Sequence, residues 1–103
     1  MPQHPDAGRV ELTDWTTTES AIRAIRETVF IHEQGVPVEL EWDGLDSSCA
    51  HVLAWNDRGE AIGTARMQRN GTIGRMAVLK YWRGRGVGRA LLQTLLNLAV
   101  RQG

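Results

Sequence analysis

Three glycines fall within five positions in Arg83-Gly84-Arg85-Gly86-Val87-Gly88-Arg89, directly ahead of a leucine-rich run. Glycine has no Cβ to hold a ligand away from the main chain, and it enters turns that line up successive N–H groups. If the leucine-rich run is a helix, its first turn adds unsatisfied N–H donors and roughly half a unit of positive charge. That is chemistry for an anion, phosphate above all. Arg83, Arg85 and Arg89 add guanidinium forks that fit phosphate oxygens. Two other phosphate loops fail on residue type. A Walker A loop ends in Gly-Lys-Ser/Thr, whereas Gly88 is followed by Arg89 and Ala90. A dinucleotide turn starting at Gly84 or Gly86 needs a small residue where Arg89 or Leu91 stands.

The chain carries twelve basic and twelve acidic side chains, a formal net charge of zero. That balance argues against nucleic-acid binding, which draws its affinity from an excess of Lys and Arg. Tyr81 and Trp82 beside the arginines offer stacking platforms, but the flanking periodic sequence reads as folded. The charges are unevenly placed. Glu33, Glu39, Glu41, Asp43 and Asp46 follow one another with no intervening Lys or Arg, and Arg66, Arg69, Arg75, Lys80, Arg83, Arg85 and Arg89 with no acid. Either one segment suits a cation and the other an anion, or the two attract each other in the fold.

These groups need a scaffold. At 103 residues and 42% hydrophobic, the chain is one compact domain burying roughly 60 to 65% of its unfolded surface. Residues 1–8 include Pro2 and Pro5 and few apolar groups, so a frayed tail is expected ahead of a single domain over residues 9–103. A lone cysteine, Cys49, excludes an internal disulfide; the N-terminus lacks a signal-peptide core, and no apolar run nears the roughly 20 residues that span a bilayer. A cytoplasmic chain with no membrane partner is expected. Cys49-x-His51 lacks a second ligand pair, so no metal is expected either.

Val10–Thr13 alternates like a half-buried strand, and Thr16-Thr17-Thr18-Glu19 matches a capping box with Thr16 as N-cap and Glu19 at N3. Ile22, Ile25 and Val29 form the apolar stripe of the helix that follows, which Gly35 and Pro37 end. Val38–Ser48 reads as a loop with room for one short helical turn. Ala50–Trp55, Ala61–Met67 and Thr72–Val78 are strand-like, and the turns Asn56-Asp57-Arg58-Gly59 and Arg69-Asn70-Gly71 join them into an antiparallel meander. Val87–Gln102 is a helix apolar around more than one stripe, and so needs cover on more than one side. Trp15, Trp42, Trp55 and Trp82 read as packing residues, with Trp42 in the acidic loop the one placed to wall an acceptor pocket.

Arg83-x-x-Gly86-x-Gly88 between a strand and a helix resembles the acetyl-coenzyme A signature of the GNAT superfamily of N-acetyltransferases, Gln/Arg-x-x-Gly-x-Gly/Ala. Ile62-Gly63-Thr64-Ala65-Arg66 resembles the preceding strand, Met76-Ala77-Val78 the signature strand, and Val29-Phe30-Ile31-His32-Glu33-Gln34-Gly35-Val36-Pro37 the first-helix segment of a small bacterial subgroup. The resemblance implies an α/β (α+β) fold on a GNAT-like mixed sheet, in the order β-α-(short α or loop)-β-β-β-α. It implies acetyl-CoA as co-substrate and acetyl transfer to a primary amine of a small acceptor. Met76, Ala77 and Val78 would offer backbone groups to the pantetheine arm and thioester, with the Val78 N–H on the oxyanion. The pyrophosphate would lie on the amides from Arg85 through Gly86, Val87 and Gly88 to Arg89, beside Gly84, with Arg83 at the first signature position. A general base is then expected, and Glu33, Asp46 and His51 are the candidates, His51 for its ordinary pKa of about 6.5. Each also has a structural reading: helix end, turn anchor and strand histidine.

The family fold continues past this helix with a strand, a helix and two further strands, so the chain is expected to lack that C-terminal part. The missing strand forms the other side of the pantetheine cleft, and the missing helix often carries a tyrosine acid whose place Tyr81 does not take. A catalytically silent CoA-binding or assembly module is the alternative. The apolar last helix and the open edge of the last strand predict a homo-oligomer that covers both.

Overall fold

The computed structural model describes residues 8–102, so the tail expected at the N-terminus lies, but for Gly8, outside the described residues. The elements are β1 (Arg9–Thr13), α1 (Trp15–Arg26) running directly into a π-helical segment (Glu27–Glu33), α2 (Val38–Glu41), a 3-10 turn (Asp46–Ser48), β2 (Ala50–Trp55), β3 (Ala61–Met67), β4 (Ile73–Val78), a 3-10 turn (Lys80–Trp82) and α3 (Val87–Gln102). The four strands form one antiparallel sheet in the order β1-β2-β3-β4.

Helices cover both faces of the sheet, which explains why β2 and β3 read as near-continuous apolar runs. On one face Val52, Ala54, Ile62 and Ala65 pack against Val87, Leu91 and Leu95 of α3. On the other, Leu53 and Ala77 meet Ile22, Ile25 and Val29, the stripe expected from the sequence. The turns form as their residues require. Asn56 Oδ1 accepts from the N–H groups of Arg58 and Glu60, and Asn70 Oδ1 from that of Thr72. Gly63 lets α3 approach β3 closely, since a Cβ there would stand 3.1 Å from Leu91 Cδ1 and 3.1 Å from Val87 Cγ1.

One expectation is corrected. The cap of α1 is Asp14, not Thr16: the helix starts at Trp15, and Asp14 Oδ1 accepts from the Thr17 N–H at 2.8 Å. A carboxylate at a helix start gains from the dipole as well as from the hydrogen bond, which a threonine hydroxyl cannot match. Those hydrogen bonds hold the Asp14 carboxyl below its ordinary pKa. Glu19 instead pairs with Arg23 one turn on. α3 has the expected bounds and packs on the sheet along one side, with Leu92, Leu96 and Val100 38%, 42% and 79% exposed.

Candidate active site

Gly84 and Gly86 adopt left-handed φ angles of +77° and +87°, conformations that a side chain would strain. The chain thereby turns into α3, whose first turn closes with a bond from the Ala90 N–H to the Gly86 carbonyl at 3.0 Å. Among the described residues, the N–H groups of Gly86, Val87, Gly88 and Arg89 have no acceptor. This is the row of orphan donors that any helix start leaves, here stripped of side chains at alternate positions. Gly86 and Val87 also border an open, largely apolar cavity of about 440 Å³ shared with Val10, Ala54 and Ile62.

The three arginines differ in role. Arg83 donates from Nε to the Val78 carbonyl at 2.8 Å and from its terminal nitrogen to Glu33 Oε1, tying the loop to β4 and to the end of the π-helical segment. Arg85 lies 4.5 Å over the Tyr81 ring and 5.4 Å from that of Trp82. Arg89 is exposed beside the orphan amides.

β4 ends the sheet, and its outer edge follows from the pairing. The Leu79 N–H reaches the Ile62 carbonyl at 2.9 Å, so Leu79 and Ile62 form a hydrogen-bonded pair. Val78 and Gly63, next in register, must then be a non-hydrogen-bonded pair. The Val78 N–H and C=O therefore face away from β3, and the carbonyl's bond to Arg83 agrees with that direction. Further back, Arg66 pairs with Gly74 and Thr64 with Ala77, so Arg75 and Met76 together oppose Ala65. This is a β-bulge, with Arg75 at φ +48°. The bulge throws the Arg75 side chain across to the segment from Leu40 to Asp43, where it donates to the Leu40 and Glu41 carbonyls at 3.2 and 3.1 Å.

The acidic and basic segments meet. Arg26 Nε donates to Glu41 Oε2 and its NH1 to Asp46 Oδ1, each at 2.6 Å. Arg66 binds Asp46 Oδ1 at 3.0 Å and Asp43 Oδ2 at 2.6 Å. Arg75 completes the set, with Nε 3.3 Å from Glu41 Oε1 and NH2 3.3 Å from Asp43 Oδ2. Three carboxylates thus face three guanidiniums, and Arg26, Glu41, Asp46 and Arg66 are buried. Mutual attraction in the fold is thus realised for Arg66 and Arg75 of the basic run, as it is for Arg83 with Glu33. The hydrogen bond from Arg66 holds the Asp43 carboxyl well below the usual carboxylate range, and the same bond holds Arg66 firmly protonated.

The three candidate bases are dispersed. Asp46 and His51 sit together at this buried network, away from the β4 edge. His51 on β2 is fully buried and lies 5.2 Å from the Trp15 ring. Its Nε2 stands 2.8 Å from the Asp46 carbonyl, an acceptor, so Nε2 carries the proton and the unpartnered Nδ1 the lone pair. Burial pushes the His51 pKa below 6.5. Glu33 alone joins the cradle, through Arg83. Trp42 packs with Arg23 4.3 Å and Arg26 4.8 Å from its ring centroid and borders an open pocket with Trp15 and Gly44. Arg66 and Arg75 fall in the base-rich run that the sequence reading set against the acids; Arg26 lies outside that run and was missed, and a bulge at a non-glycine residue leaves no local mark.

Among the described residues no group of three His, Cys, Asp or Glu side chains gathers as a metal site, and no helix is long and apolar enough to cross a membrane. The chain is 34% identical over 85 residues to a Bacillus subtilis (strain 168) protein named as an acetyltransferase, an alignment covering 77% of this chain and 57% of that one. It therefore spans less than three fifths of that relative's length. The crystal structure of a Lactobacillus plantarum protein named as an N-acetyltransferase superimposes with a TM-score of 0.81 at 26% identity, over 92% of this chain and 68% of that one. An acyl-CoA N-acyltransferase from Pseudomonas aeruginosa gives 0.79 at 26% identity, over 91% and 70%. Residues 10–103 match the acetyltransferase (GNAT) family across the cradle, the bulged strand and the helices that position them, and the chain belongs to that family.

Proposed function

We propose that the chain binds acetyl-CoA along the cradle and the outer edge of β4 and transfers the acetyl group to a primary amine of a small acceptor. The observation that carries this reading is the row of acceptor-free N–H groups from Gly86 to Arg89, set beside a strand edge that presents the Val78 N–H. Diphosphate fits these donors because the left-handed glycines keep the approach clear of side chains and the helix start favours negative charge. When bound, acetyl-CoA supplies a thioester carbonyl for the amine to attack and a thiolate leaving group.

The chain's own residues then do three things. The backbone amides of residues 86–89, with the Arg89 guanidinium, hold the diphosphate. The Val78 N–H donates to the carbonyl oxygen as it gains negative charge, a preorganised hydrogen bond of the kind that contributes about 3–4 kcal/mol to acyl transfer. Glu33, of the three candidate bases the one joined to this edge, takes the proton from the attacking amine directly or through one water. Asp46 and His51 hold the segment between α2 and β2 in place.

Calorimetric titration with acetyl-CoA tests the binding, and release of free CoA thiol on adding amines tests the transfer. Absence of heat with acetyl-CoA overturns the whole reading. Binding without thiol release favours the second reading, a silent CoA-binding or assembly module. The observation behind that second reading is that, among the described residues, no strand pairs with the outer edge of β4, which leaves a thioester held from one side.

A further inference from the structure

On the α1 side of the bulge, Phe30, Val36, Leu40 and Met76 line an open groove of about 450 Å³ together with Glu41 and Arg75. That volume suits a small molecule. Met76 belongs to the same strand edge as Val78 and stands two residues from it, about 7 Å along the strand. The cradle lies at the start of α3, which packs on the opposite face of the sheet. A ligand in the groove and a thioester at the β4 edge would therefore meet from opposite sides.

The groove's chemistry is defined by what its charged members already bind. Glu41 accepts from Arg26 and faces Arg75. Arg75 donates to two carbonyls and lies against Asp43, which Arg66 also holds. The network carries three positive and three negative charges, so it presents no surplus of either sign to the groove. Glu33 is paired with Arg83, which leaves Glu39 as the one acid of the segment with no partner among the described residues. A polycation thus finds little to neutralise it, whereas a hydrocarbon body is drawn out of water by Phe30, Val36 and Leu40.

We infer that the groove is the acceptor subsite and that it takes a primary amine on an apolar, otherwise uncharged body, an aralkyl- or alkylamine, rather than a polyamine or amino sugar. This rests on the acetyl-transfer reading above. It replaces the cation-attracting role that the acidic segment suggests on paper.

The test is calorimetry on the whole chain, first with CoA and then, on the CoA-saturated protein, with 2-phenylethylamine, a butyl- to hexylamine series and spermidine. Phenylethylamine should bind, the alkylamines should tighten roughly fourfold per methylene, and spermidine should bind weakly or not at all. Leu40→Asp, at a side chain 64% exposed and so dispensable to the core, should weaken phenylethylamine at least tenfold and improve spermidine, with CoA affinity unchanged. The inference is overturned if spermidine binds as tightly as phenylethylamine, if neither binds, if chain length has no effect, or if Leu40→Asp leaves phenylethylamine unaffected. Loss of CoA heat alone strikes the acetyl-transfer reading instead, and the amine titrations on the unliganded protein still report on the groove.

Discussion

Gly86 and Gly88 are two positions apart and differ in what an added methyl group would do. Gly86 has φ +87° with open space around it, so alanine there meets no neighbour but strains the backbone. Left-handed backbone at an L-residue costs about 1–2 kcal/mol, which for a chain of this size lowers the melting temperature by roughly 5–15 °C. Relief of that strain rotates the loop and swings at least one of the Val87 and Gly88 amides off its line. A hydrogen bond to a charged group contributes about 1.5–3 kcal/mol, so CoA affinity should fall between tenfold and a hundredfold. At Gly88 the backbone is helical, and a Cβ would rest 3.8 Å from Met76 Sδ and 3.9 Å from Val78 Cγ2, ordinary contact distances. Alanine in a helix is favoured over glycine by up to about 1 kcal/mol. Gly88→Ala should therefore melt a few degrees higher than the parent and bind CoA within about threefold of it.

The assay is a thermal melt and a CoA titration for each variant. The pair also accounts for a signature that admits Gly or Ala at its last position but only Gly two residues earlier. Parent-like CoA affinity in Gly86→Ala, or equal loss in both variants, would refute the reasoning, because the cradle would then not depend on the left-handed turn.

Four other outcomes are expected. Because burial lowers the His51 pKa in the fold, its contribution is complete above pH 6.5 and is lost as pH falls below that value, by at most about 1.4 kcal/mol per pH unit; melts from pH 7.5 to 5.5 should show this, and His51→Gln should flatten the slope. Asp43 follows the same sign lower down, its contribution intact above its ordinary 3.8 and lost only in stronger acid, so an Asp43→Asn variant should lose the steepest part of the acid transition. Arg26→Met leaves Glu41 and Asp46 buried and short of a partner, and urea unfolding should show a loss of about 3–5 kcal/mol; under 1 kcal/mol would mean that the network is not coupled as drawn. Finally, we propose that the exposed stripe of Leu92, Leu96 and Val100 pairs copies of the chain: light scattering should show a dimer at micromolar concentration and Leu96→Glu a monomer, and a monomeric parent would dismiss the proposal.

The cradle was legible because its causes are local. Glycines that must turn left-handed, a helix that must leave its first amides unpaired and a strand that must end before them are all stated within a dozen residues of sequence. The same holds for the meander, whose turns rest on Asn56 and Asn70 bonding to their own neighbours, and for the stripe of Ile22, Ile25 and Val29. The misplaced cap shows the limit of even local reading. Asp14 and Thr16 are both good caps, and the winner is decided by where the strand before them stops, since β1 runs to Thr13 and leaves Asp14 the first residue free to turn.

The acceptor side was illegible for a different reason. Arg26 meets acids 15 and 20 residues away, Arg66 acids 20 and 23 away, and Arg75 acids 32 and 34 away. No pattern along the chain announces those partners. They come together because α1 and β3 flank the segment between Leu40 and Asp46, and because one extra residue in β4 turns Arg75 out of the ladder toward it. A run of five acids taken alone reads as a magnet for cations. Three of them, Glu41, Asp43 and Asp46, folded against three arginines become a neutral wall beside the apolar side chains of the groove, so selectivity for an acceptor passes from charge to apolar fit. The bulge makes that change possible, since Arg75, turned out of the ladder, closes the charge balance.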